Sequence, residues 1–177
     1  LGWACWKMYL GRTEMEAYHR RFSMQVLGCS LYMSRPQEAL PVLEANLALC
    51  RRSWSWDDNF TRGVQGNLAS CLDHLGRHEE SLVIRREIYA GFVATLGVSH
   101  PDSILGGCNL AGTLMDQPGL RGEAITLLRD LLPVARKSLG ADHDITLGMA
   151  QNLAMALLGD TPEHTRDDLL EAETIMQ

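Results

Sequence analysis

The densest run of chemistry-bearing side chains is Cys71-x-x-His74-x-x-x-His78, three residue types that hold zinc in other proteins. A structural zinc site needs four convergent ligands, and here Gly76 breaks the chain direction between the two histidines while no fourth ligand follows at metal spacing. The stretch therefore reads as a small buried cysteine and two surface histidines at a turn. Cys29 precedes Cys71 at an equivalent place, but a disulfide requires Cα atoms within about 7 Å, tighter than neighbouring helices usually allow. His100 and His143 offer a candidate acid/base pair. They recur, however, inside matching phrases, Leu96-Gly97-Val98-Ser99-His100-Pro101 and Leu139-Gly140-Ala141-Asp142-His143-Asp144. Catalysis needs one constellation, not a periodic one, so these histidines predict capping and packing at each elbow. No catalytic residue, metal or cofactor is expected, and the chain reads as a non-enzyme.

The elements behind these residues are periodic. Asn67-Leu68-Ala69, Asn109-Leu110-Ala111 and Asn152-Leu153-Ala154 are one tripeptide written three times, at spacings of 42 and 43 residues. Two unrelated phrases sharing one period mean that the whole intervening segment repeats, the mark of stacked helical units. Leu68, Leu72 and Leu75 have helical spacing, and Gly76 sits where a helix C-terminus takes glycine. A second helix runs from about His78 to Leu96, and Pro101 suits the first turn of the next. The fold class is all-α: helix pairs at about 14–53, 60–96 and 101–139, a final truncated pair at 143–177, and residues 1–10 as the tail of a preceding unit, within a single repeat domain. Small residues at matching places, Ala69, Ala111 and Ala154 in first helices and Ala39, Ser81 and Ala124 in second helices, predict close helix approach.

Bulk properties narrow the partners. A formal net charge of -6 argues against a nucleic-acid surface, which needs a basic face. No apolar run approaches the roughly 20 residues of a membrane-spanning helix. The opening residues lack the pattern of a secretory signal, and with no initiator Met the chain is expected to be a piece of a longer parent. Five cysteines without paired spacing indicate a reducing, cytoplasmic setting. Arginine outnumbers lysine 14 to 2, a bias that base composition explains as readily as carboxylate recognition. Trp54 and Trp56 are candidate partner anchors, with elbow filling favoured. Arg20-Arg21, Arg51-Arg52 and Arg85-Arg86 are read as solvated pairs, with Arg62 and Arg12 better placed near the starts of first helices.

The combination of Asn-Leu-Ala, Glu-Ala and Leu-Gly-x-x-His-Pro over about 42 residues resembles the long tetratricopeptide repeats of kinesin light chains. Gln25 stands where the first Asn belongs, and Trp54-Ser55-Trp56-Asp57-Asp58 departs from the connector phrase. The resemblance implies a right-handed superhelical solenoid that binds short extended peptides on a concave face lined by first helices. It also implies that Asn67, Asn109 and Asn152 bond the peptide backbone. On the residues alone, positions at i, i+4 and i+7 share a helix face, which adds Cys71 and His74, and Thr113, to the candidate peptide-binding set with Arg62. The same asparagines could instead bond a neighbouring helix and set register. The expected partner is a protein or peptide, with self-association through an exposed terminal repeat as a further expectation. The competing readings are a purely structural repeat segment and the regulatory repeat domain of a larger signalling enzyme.

Overall fold

The structure, a computed structural model, describes residues 14–53, 59–159, 170–172 and 174–175. The described residues contain seven named α-helices: α1 (Glu14–Leu31), α2 (Pro36–Ser53), α3 (Asn59–His74), α4 (His78–Leu96), α5 (Pro101–Met115), α6 (Arg121–Ser138) and α7 (Asp144–Leu158). Odd-numbered helices are the first members of each pair and even-numbered helices the second, as the periodicity predicts. Residues 1–10, the tryptophan connector at 54–58 and most of the final second helix lie outside the described residues. Two compact units divide the chain, Leu1–Ile84 and Arg85–Gln177.

Local chemistry explains the helix ends. The last turn of α3 closes as a Schellman motif, with Arg77 N–H donating to Leu72 O at 2.9 Å and Gly76 N–H to Asp73 O at 3.0 Å. Gly76 at φ 72 supplies the left-handed residue this closure needs. At the elbows, His100 and His143 are N-caps with extended backbone. Each ring accepts at Nδ1 from the N–H two residues on, Asp102 and Ile145, both at 3.2 Å. The recurrence of these histidines is therefore a recurrence of caps. Pro101 occupies the first turn of α5, while α2 and α6 continue through Pro41 and Pro133. Both prolines sit at exposed positions. Each removes one intrahelical hydrogen bond, so the packed stripe of the helix must carry what the backbone loses.

In the first unit, α2 packs against α1 and α3. Leu43, Leu47, Cys50, Val64, Leu68, Cys71 and Leu72 form its core around Ala39. The approach is so close that a Cβ on Gly28 would overlap Leu43 Cδ2. In the second unit, α6 packs against α5 and α7, and α5 touches α7. Its core joins Ile104, Ala111, Leu128, Leu131, Met149 and Leu153. All six register-matched small residues are buried.

Asn46 breaks the pattern. One period on stand Ile88 and then Leu131, both in the buried set, yet Asn46 is completely buried. Its amide donates to the Arg21 carbonyl at 3.1 Å and lies 3.4 Å from Gln25 Oε1. Gln25 is the residue that replaces the recurring Asn, so the altered first-helix position faces an altered second-helix position.

Two stability effects are expected in chemical denaturation. His100→Ala and His143→Ala should each cost about 0.5–2 kcal/mol, while Asp at either position should retain the cap. Asn46→Ala should cost about 1–3 kcal/mol, because it strands Gln25 and leaves a small void.

Candidate functional site

The recurring Asn sits midway along each first helix, and helical geometry decides which neighbours share its face. With 3.6 residues per turn, position i+4 lies about 40° to one side of the Asn, whereas i+3 lies about 60° to the other. The described side chains settle between them. At i+4, Cys71 and Thr113 are buried, and Ala156, at the same place in α7, is buried too. The Cys71 thiol donates to Pro36 O at 3.3 Å. Position i-3 on the same side holds Val64 and Met149, both fully buried. At i-4, Gly63 and Leu105 are exposed, and at i+3 Met155 is 55% exposed. The open stripe therefore runs through i-4, i, i+3 and i+7: Gly63, Asn67, Ser70 and His74 on α3; Leu105, Asn109, Gly112 and Asp116 on α5; Gly148, Asn152, Met155 and Gly159 on α7.

Three of the expected contact residues lie off that stripe. Cys71 and Thr113 are on the packing side, turned about 40° from the Asn toward the Leu row that drives stacking. Arg62 is 6% exposed and shares its repeat position with the fully buried Ile104. It belongs to the helix-packing register and is buried there. His74 is exposed, with Nδ1 2.8 Å from Ser70 O and its ring edge-on to Tyr32 at 5.4 Å between centroids. Ser70, Gly112 and Met155 lie on the open side that an assumed i+4 face leaves out. The signal was present, since i+4 lies nearer than i+3 to the Leu68 and Leu72 stripe.

The three asparagines differ in engagement. Asn67 hydrogen-bonds the Cys29 sulfur, which offsets part of the rise that burial imposes on that thiol's pKa. The Asn152 amide lies 3.9 Å from Cys108 Sγ on α5, and burial pushes the Cys108 thiol up. Asn109 is exposed. So two of the amides lean on a sulfur of the preceding first helix. An N–H to sulfur contact is a weak hydrogen bond, and each amide keeps its carbonyl oxygen as an acceptor. Around them, a Cβ placed on Gly63, Gly112 or Gly148 would meet nothing within 4 Å, so the stripe is open beside each amide.

The metal candidate comes apart in three dimensions. Cys71 turns to Pro36 O, His74 to Ser70 O, and His78 Nδ1 lies 3.6 Å from Asp73 Oδ1. Among the described residues, no three His, Cys, Asp or Glu groups converge. The cysteines among them form no disulfide. No described helix is long and apolar enough to cross a membrane. The second-helix arginines are more engaged than solvated pairs. Arg86 donates to Glu123 at 2.7 Å, and Arg129, one period on, donates to Glu171 at 2.8 Å.

Comparison with known proteins places this architecture. No protein-family profile matches the chain, and no curated protein matches it. Solved structures do. A crystal structure of nearly identical TPR-like repeats from Podosopora anserina, named for kinesin light chain, superposes with a TM-score of 0.71 at 24% identity, covering 89% of this chain and 75% of that one. The crystal structure of a point variant of those repeats gives a TM-score of 0.75 at 23% identity, covering 89% and 73%. At this identity the likeness speaks to the fold alone, and together with the helix order and repeat register it gives this chain a tetratricopeptide-like helical repeat fold, similar to that of the solved repeats named for kinesin light chain.

Proposed function

We propose that this chain is a protein–protein interaction module that binds a short extended peptide along its first-helix stripes. The observation that carries the reading is in the second unit, where α5 and α7 lie side by side. There Asn109 is exposed, Gly112 and Gly148 leave open space, and Leu105 and Met155 present apolar surface at 42% and 55% exposure. An exposed amide offers a peptide backbone one donor and one acceptor. Glycines beside it let that backbone approach, and flanking apolar side chains give a partner's side chains something to bury against. In the first unit, Asn67 and His74 occupy the matching stripe on α3. Repeats of this fold commonly serve as interaction scaffolds without chemistry of their own. We place the protein in the cytoplasm with a protein or peptide partner, and without a nucleic-acid or membrane role. Leu147, exposed where its register partner Ile104 is buried, is the apolar surface through which copies would self-associate.

A register-setting role is the second reading, favoured by the contacts of Asn67 with Cys29 and of Asn152 with Cys108. The two readings differ in what an Asn109 change does. Panning a library of random extended peptides should select ligands whose binding Asn109→Ala weakens about tenfold, with the thermal melt within about 0.5 kcal/mol of the parent. Asn152→Ala should weaken the same ligands. Retained binding together with a lowered melting temperature would assign the asparagines to register alone.

A further inference from the structure

A second opening lies in the second unit, off the asparagine stripe. It is a cavity of about 430 Å³ lined by Arg86, Tyr89 and Ala90 of α4, Leu110 of α5, and Glu123, Thr126, Leu127 and Asp130 of α6. A volume of this size is within the range of sites that accept a ligand group.

The repeat itself shows why the opening is here. Tyr89 stands where the register puts Leu47 in α2 and Leu132 in α6, both buried. Gly107 stands where α3 has Gln65 and α7 has Ala150. The two departures fit each other: a Cβ on Gly107 would lie 3.1 Å from the Tyr89 ring and would overlap Leu131 Cδ1. An interior helical glycine costs about 1 kcal/mol against alanine, and here the space it leaves is taken by the tyrosine ring. The ring is only part-buried, so one side of it forms a wall of the cavity.

The charges in that wall are not balanced. Arg86 is held by Glu123 at 2.7 Å. Asp130 makes no hydrogen bond or ion pair to a described residue, and its carboxylate acts on the Tyr89 phenol. Burial first, and Asp130 second, push that phenol's pKa up. The cavity thus combines an apolar floor of Ala90, Leu110 and Leu127, an aromatic wall, and one uncompensated carboxylate. That set matches a cation carried on an aliphatic stem.

We propose that this cavity is a second docking site, taking an arginine side chain presented by a partner polypeptide. The methylene stem lies on Leu110 and Leu127, the guanidinium plane stacks on Tyr89, and Asp130 receives its N–H groups. Arginine fits better than lysine because its planar, weakly hydrated head both stacks and forks to a carboxylate. This goes beyond the first-helix reading and rests on different residues.

The test is an NMR titration of the 177-residue chain with the peptide acetyl-Gly-Arg-Gly-amide. Saturable shifts are expected at Leu110, Leu127 and the Tyr89 ring, with the citrulline counterpart, neutral but of the same shape, binding at least about fivefold more weakly. Asp130→Asn, at an exposed position, should weaken the arginine peptide by a similar factor without lowering the melting temperature. Acetyl-Gly-Lys-Gly-amide should bind more weakly than the arginine peptide, and Tyr89→Leu, which restores the register residue, should erase that preference. Asn109→Ala should change none of these values. Equal binding of the citrulline peptide, indifference to Asp130→Asn, or loss of the shifts in Asn109→Ala would each overturn the proposal.

Discussion

Everything in this chain depends on how near one helix can come to the next. Ala39, Ser81 and Ala124 in the second helices, and Ala69, Ala111 and Ala154 in the first, are buried contact points that allow the pairs to close. Gly28 against Leu43 and Gly107 against Leu131 leave no room for a methyl group. Enlarging such a position typically costs about 1–3 kcal/mol, which matters because a domain's net stability is itself only about 5–15 kcal/mol. Leucine rows supply the driving force for stacking, but the small residues decide the distance at which it operates.

With the spacing set, the departures from periodicity become informative. Asn46 lies in the register of Ile88 and Leu131, and it carries a polar group into the core because Gln25 and the Arg21 carbonyl are there to meet it. Tyr89 and Gly107 are a second matched pair, one residue larger and its neighbour smaller than the register expects. Each pair is a local exchange that keeps the stack intact while altering what the surface or core offers. The Arg86–Glu123 and Arg129–Glu171 bonds are periodic by contrast. At the exposed second-helix surface such pairs contribute little, on the order of 0–1 kcal/mol each.

The first-helix stripe was half legible. The identity of the asparagines, their period and the smallness of their surroundings are all in the sequence. Choosing i+4 over i+3 required knowing where the packing side ends, and that boundary lies within about 40° of the Asn itself. Cys71 and Thr113 fall on the buried side of it, Met155 on the open side. Arg62 shows the same limit from another direction, since a charged residue near a helix start reads as surface until its register with Ile104 is noticed.

What the sequence determined by itself was the repeat, the helix pairs and their ends. Those features follow from short-range chemistry: Leu spacing, the left-handed glycine after α3, and His100 and His143 bonding amides two residues away. The tertiary structure alone decided which edge of the asparagine stripe stays open. It also decided that the Asn46 amide nitrogen finds acceptors inside a core and that Tyr89 and Asp130 share a cavity. Those depend on contacts between residues tens of positions apart, set by the angle and distance at which helices pack, and no local spacing rule carries that information.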